Sequence, residues 1–383
     1  MYKKNGRHGI LLISLILIAL GIALSISYIY RLGKRSPLPP FEEFHSLSKQ
    51  LYRDIHSADM AISHEFFKIG VPQEKIIFLY VTPMREDSYS WELSSIRAMV
   101  PDKYSLSQIG MEIKKAVESL NAPMQANIVD ISDTVTVCNI FWNGLHTHVL
   151  KITLDDDHPK CISSYPKISI IIDDLGYKKM IANELINLNM PLTLSILPFT
   201  PYTKFIAQNA HKKNKETMLH LPMEPINYPS MNPGDGVLLE SMDEEATLKV
   251  LEDDLNQIPF ISGVNNHMGS RLTKNEKKME IVMKELKKRN LYFIDSRTNS
   301  DTVAFKVAKK MALNTAKRDV FLDNNLTENS LKSQIEKLLT LAKHRGHAIG
   351  IAHPHNETLD ILRAYEKKLD DGVRVVPVSD LLN

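Results

Sequence analysis

From residue 167 onward the chain alternates short apolar runs with amphipathic stretches. Ile168-Ser169-Ile170-Ile171-Ile172 is apolar or small at every position, as a strand buried on both faces of a helix-covered parallel sheet requires. A helical stretch to Leu188 follows, then a strand over Leu192–Leu197 and a helix over Tyr202–Lys213. Met218-Leu219-His220 opens a third strand, and an amphipathic helix spans about Asp243–Leu255. Further strands are predicted to begin at Ile261, Leu291, Val320, His347 and Val373. Helices near Lys274–Arg289, Thr302–Met311, Glu328–Lys343 and Leu359–Leu369 separate them. This rhythm implies parallel strands with right-handed crossovers. Seven or eight units in about 217 residues fit a β/α barrel better than an open sheet.

Before residue 160 the pattern differs. Ile10 to Tyr30 is an uncharged apolar run of about 21 residues, roughly 30 Å as a helix, which predicts a membrane anchor in preference to a cleaved signal peptide. Lys3, Lys4 and Arg7 before it nearly balance Arg31, Lys34 and Arg35 after it. Ser36-Pro37-Leu38-Pro39-Pro40 reads as a stiff linker, and Phe44, Leu47, Leu51 and Ile55 recur at helical spacing until Gly70 and Pro72. A strand at Ile76–Val81, a helix over Ser105–Leu120 and strands at Ala126–Ile131, Thr134–Phe141 and His146–Leu154 predict a small α+β domain with an antiparallel sheet. The expected division is a membrane anchor over residues 1–35, linker and α+β domain over 36–160, and barrel over 161–383.

Composition excludes several functions. At 43% hydrophobic and 24% charged the chain is ordinary globular protein. A net charge of +2 with no basic stripe offers nothing to nucleic acid. Cys138 and Cys161 are too few for a disulfide framework or a cysteine metal site, though one bridge between them is open. His146 and His148 share a strand face without a third ligand at metal spacing.

Chemistry concentrates where the barrel strands end. The first strand stops at Asp173-Asp174, the third runs into His220-Leu221-Pro222-Met223-Glu224-Pro225, and the fourth ends in Asn265-Asn266-His267-Met268-Gly269-Ser270-Arg271. Asp295-Ser296-Arg297, Asp323-Asn324 and His353-Pro354-His355 close the later strands. An Asp after a strand often caps the next helix, and single polar groups of this kind are commonly satisfied structural residues. A ring of six such strand ends is not explained by capping alone. Asp, His, His and Glu at one barrel mouth form a ligand set for a divalent metal, chiefly zinc, with a position left for water.

The motifs IIIDDLGY, LTLSILP, HLPMEP, GVNNHMGSR, FIDSRT and IGIAHPH, in that order over residues 167–383, resemble the divergent polysaccharide deacetylases of the NodB-like superfamily. The resemblance implies a distorted seven- to eight-stranded (β/α) barrel that removes acetyl groups from N-acetylated cell-envelope polysaccharide. It implies Asp173 as catalytic base, Asp174 and His220 as metal ligands and His353 as acid. The family's second metal histidine is replaced here by Glu224, so the third ligand is either Glu224 or, preferred, His267 from the fourth strand. Asn266, Arg271, Asp295, Arg297 and His355 are the candidate substrate contacts, although neither arginine belongs to the wider family's basic set. With the anchor, this substrate places the protein in the inner membrane with its soluble part outside the cytoplasm.

A different class competes with the enzyme: a non-catalytic envelope protein that binds glycan or protein through the inherited groove, as the altered histidine motif and extra domain allow. A two-carboxylate glycosidase is disfavoured, because Asp173 and Asp174 are adjacent and cannot flank a scissile bond.

Overall fold

The computed structural model describes residues 48–86, 89–154, 165–366 and 372–382, which belong to one compact unit. The run Ile10–Tyr30, the linker and Cys161 lie outside the described residues. Among the described residues no helix is long and apolar enough to cross a membrane. The expected single-pass inner-membrane placement is corrected accordingly.

Strands β1 (Ile76–Glu86), β2 (Tyr89–Val100), β3 (Met124–Ser132), β4 (Val135–Trp142) and β5 (Leu145–Leu154) form a sheet of order β1-β2-β5-β4-β3. Helices Ser48–Lys68 and Leu106–Glu118 pack on it around one apolar core. Ser105 caps the second helix by accepting from Gln108 N. In β4 every second residue is buried, the signature of a sheet covered more fully on one face. The sheet is mixed, not antiparallel as the pattern predicts, because β2 runs parallel to β5. β2 escapes pattern reading because its polar Glu92 and Ser94 are buried against Arg318, in the loop before Val320, and Lys337, on the helix Glu328–Arg345.

That second sheet holds β6 (Lys167–Leu175), β7 (Thr193–Ile196), β8 (Glu216–Met223), β9 (Gly263–Met268), β10 (Tyr292–Asp295), β11 (Thr315–Lys317), β12 (Val320–Phe321), β13 (His347–Ala352) and β14 (Arg374–Val375). All pair in parallel along β11-β10-β9-β8-β7-β6-β13-β12, with β14 beside the start of β6. The sheet curls but does not close. Its two ends, β11 and β12, are consecutive in sequence and joined only by Arg318-Asp319. A parallel pair needs a crossover of about a dozen residues, so this link cannot close the barrel. The linking amides are bonded elsewhere, Arg318 N to Asp295 O at 3.0 Å and Asp319 N to Ile349 O at 2.9 Å.

Side-chain parity divides each strand. Ile168, Ile170 and Ile172 face the covering helices, as do Leu219, Leu221, Val264, Phe293 and Leu322. Ile171, Met218, Tyr292, Ile294, Phe321, Ile349 and Ile351 form a separate interior cluster. Period two therefore carries Asp173, His220, Ser296, Asp323 and His353 to the interior side of the mouth.

The N-terminal sheet covers the open seam. Arg318 is 2% exposed; its Nε donates to Ser296 O at 2.7 Å, Nη1 to Glu92 Oε1 at 2.6 Å and Nη2 to Arg297 O at 3.1 Å. Its guanidinium lies 3.5 Å from the centre of the Phe321 ring. Removing one member of such a pair strands a buried charge. Glu92→Ala is expected to destabilise the protein by roughly 3–5 kcal/mol in denaturant unfolding. The double variant with Arg318→Met should recover part of that loss, and full additivity would show that the pair does not hold the seam.

Candidate metal centre

Two neighbouring strand residues normally point to opposite faces. Asp173 keeps the interior parity of Ile171, whereas Asp174 adopts a left-handed backbone (φ 56°) at a break in the β6–β7 register. That turn brings the second carboxylate to the same mouth as the first. Gly176, with φ +148°, completes it. A Cβ there would lie 2.1 Å from Thr200 Oγ1, so only glycine lets the β6 loop pack on the β7 loop.

Asp174 Oδ1 lies 3.0 Å from His220 Nε2 and 2.9 Å from His267 Nδ1, and the two ring nitrogens are 3.1 Å apart. All three side chains are buried. Tetrahedral ligands of a zinc ion lie ~3.3 Å apart for bonds of ~2.0–2.1 Å, so this triangle fits a divalent cation with little adjustment. Asp174 Oδ2 is buried with no hydrogen-bond partner among the described residues. Such an atom is costly unless a cation answers it.

Asn265 sets the orientation of this group. Its Nδ2 donates to Asp173 Oδ1 at 2.8 Å and to Ser296 Oγ at 3.2 Å. Its Oδ1 accepts from Ser195 Oγ at 2.6 Å and from His220 Nδ1 at 2.8 Å. An amide oxygen can only accept, so His220 carries its proton on Nδ1 and presents a lone pair at Nε2 when neutral. Asp173 Oδ2 points into the site, 3.8 Å from His220 Nε2.

Burial lowers the His220 imidazole, but Asp173 and Asp174 outweigh it and hold the group at about 9. Burial raises the Asp174 carboxyl, yet the imidazoles of His267 and His220 bring it well below the usual range. Asp173 is raised, chiefly by burial, against the opposing pull of His220 and His353. His353 is fixed by Asp323, whose Oδ1 is 2.8 Å from Nδ1 and whose Oδ2 accepts from the His353 backbone N–H at 2.6 Å. Thr358 Oγ1 donates to the same Oδ2 at 2.8 Å.

The remaining sequence candidates divide by geometry. Glu224 is drawn away from the triangle: Oε2 accepts from Glu240 N at 2.6 Å, and Oε1 lies 3.5 Å from Arg271 Nε. Asn266 and Asp295 have the helix-facing parity. Asn266 braces Met268 O and Ser296 N, and Asp295 accepts from Arg297 N, Thr302 Oγ1 and Phe305 N, so both side chains are committed to internal bonds. Arg271 also donates to Ile226 O, Arg297 reaches Val81 O of the N-terminal sheet, and His355 begins helix Asn356–Tyr365 with its ring 6.3 Å from that of His353. Asn265, Ser195, Ser296 and Asp323 received no role from the sequence. Their interior parity is the signal that marks them.

A family model described as divergent polysaccharide deacetylase matches residues 170–382. The chain is 33% identical over 217 residues to the Escherichia coli (strain K12) uncharacterized protein YibQ, covering 57% of this chain and 67% of that protein. An uncharacterized protein of Haemophilus influenzae is 29% identical over 215 residues, 56% of this chain and 76% of its own. The crystal structure of an uncharacterized protein from Agrobacterium tumefaciens C58 superposes with a TM-score of 0.55 at 26% identity, covering 58% of this chain and 92% of that one.

Replacing Asn265 by Leu leaves Asp173 Oδ1 and His220 Nδ1 without their shared partner. Asn265→Leu should cost on the order of 1–3 kcal/mol for each stranded group in chemical unfolding. An unchanged midpoint would show that the amide does not hold them.

Proposed function

Because the chain belongs to the divergent polysaccharide deacetylase family, we propose that it is a metal-dependent hydrolase that removes acetyl groups from an N-acetylated polysaccharide. The observation that carries this reading is the buried Asp174–His220–His267 triangle set beside Asp173 and His353. Two imidazoles and one carboxylate hold a zinc ion with one position open. When bound, that ion supplies Lewis acidity, polarising an acetyl carbonyl and bringing the pKa of water toward ~7.

The side chains of this chain do the rest. Asp173 is held by Asn265 at Oδ1, which leaves Oδ2 to take a proton from the attacking water as its oxygen bonds to the acetyl carbon. Its raised affinity for protons, set by burial, suits a general base. His353, oriented by Asp323, gives a proton to the amine nitrogen as the carbon–nitrogen bond breaks. The products are acetate and a free amine. His267 takes the place that Glu224 would hold in the family's usual histidine spacing, and Arg271 keeps Glu224 to one side.

Asp173→Asn is expected to keep zinc and to lower amine release from an N-acetylated oligosaccharide by roughly 10²–10⁴-fold. His220→Ala should lose the metal, read by elemental analysis of the purified chain. If both variants retain full activity, or if the protein takes up no zinc and releases no amine, the reading fails and a glycan-binding role remains.

Zinc uptake should also depend on pH. A metal-bound imidazole must be neutral, and His220 holds its proton up to about 9. Apparent affinity should therefore fall about tenfold per pH unit below about pH 9 and level off above it, as measured by competition with a chelating dye. A flat profile between about pH 6.5 and 9 would show that His220 is not a ligand.

A further inference from the structure

Where the β1–β2 hairpin meets the loop after β10 there is a cavity of ≈ 50 Å³, with Arg85, Trp91, Glu92, Arg297, Asn299 and Arg318 in its lining. It is several times the ~10–15 Å³ that accommodates one water and too small for a sugar ring. Its charges do not balance. Glu92 is already matched, with Oε1 2.6 Å from Arg318 Nη1 and Oε2 3.9 Å from Lys337 Nζ. Asp301, which feels the Arg85 charge, is held by Lys274 Nζ at 2.9 Å. Asp319 is held by Arg345 at 2.6 Å.

Neither Arg85 nor Arg297 forms an ion pair among the described residues. Arg297 is anchored only through Nη1, by long bonds to Val81 O at 3.3 Å and Arg318 O at 3.4 Å. The other donors of its five-donor fork have no acceptor among the described residues. Burial and the neighbouring Arg318 guanidinium bring Arg297 down to about 10 against the weaker opposing pull of Asp295, Glu92 and Asp319, and Arg297 in turn helps to lower Lys317 after burial has done so. Cations have thus gathered here without enough negative charge. The cavity also adjoins the catalytic network, since Ser296, next to Arg297 in the chain, accepts from the Asn265 amide that holds Asp173.

We propose that this cavity is an anion site, and that its ligand is a carboxylate carried by the polysaccharide whose acetamido group lies at the metal centre. Two carboxylate oxygens match the guanidinium fork of Arg297, and Arg85 closes on them from the hairpin. The inference rests on the deacetylase reading and adds the substrate's charge to it. The N-terminal sheet then contributes to recognition as well as to folding.

The test compares N-acetylglucosamine with its 3-O-lactyl ether, the same sugar bearing one carboxylate, by calorimetry on the full-length chain. The lactyl ether should bind at least about tenfold more tightly. That preference should fall to within about twofold in Arg297→Gln and in Arg85→Gln, the latter half-buried on the hairpin arm. Asp174→Asn should keep the preference, so a chain that takes up no zinc but retains it would overturn the metal centre alone. Equal affinity for the two sugars, or a preference that survives both arginine variants, overturns the proposal. So does inorganic phosphate binding through Arg297 while the two sugars bind alike.

Discussion

Two adjacent carboxylates, Asp173 and Asp174, are buried at the mouth of an apolar sheet, and the geometry around them follows from the need to compensate their charge. An isolated ionised carboxylate in such surroundings is prohibitively unfavourable, by tens of kcal/mol in the idealised limit. Asp174 is compensated by two imidazoles, and Asp173 by the Asn265 amide and by the field of His220 and His353. The two carboxylates hold His220 at about 9, so at neutral pH it carries a proton whose charge stands in for a cation. A divalent ion at the same three atoms supplies two charges where that proton supplies one. The cluster would thus be more completely neutralised by a divalent ion than by that proton.

Much of this arrangement is legible in the amino-acid pattern because strand periodicity and strand ends are local properties. The β-branched run before Asp173 defines β6, and the placing of His220, His267 and His353 at later strand ends follows from counting units. Parity within the strand ends is harder to read. Asn265 and Asn266 are chemically identical neighbours, Asp295 and Ser296 are both polar, and only the register against Ile294 and Val264 shows which of each pair turns inward. Asp174 breaks the alternation through its left-handed backbone, which no propensity scale anticipates for an aspartate inside a strand.

The seam was illegible for a different reason. β11 and β12 are three and two residues long, and the pattern places a strand at Val320 but none over Thr315–Lys317. β2 was hidden by Glu92 and Ser94, polar residues that look solvent-facing until their partners Arg318 and Lys337, more than 220 residues away, are brought beside them. Non-local charge pairing is the information that a one-dimensional reading lacks. The paired strand β2 also lies outside residues 170–382, the span that the family model matches.

That sheet is nevertheless coupled to the candidate metal centre. Glu92 Oε1 accepts from Arg318, Arg318 Nε donates to Ser296 O, and Ser296 Oγ accepts from Asn265 Nδ2, which donates to Asp173 Oδ1. All four links are buried, none is longer than 3.2 Å, and together they cross the gap between β11 and β12 in the sheet path. A curled sheet open between β11 and β12 has no ladder to fix the position of the β10 loop there, so the loop that carries Ser296 takes its position from Arg318. Arg318 is in turn held by a carboxylate of the other sheet. The orientation of Asp173 therefore depends on the N-terminal sheet through four consecutive bonds, and a barrel of this topology cut free of residues 48–154 would lose the partner that fixes its seam.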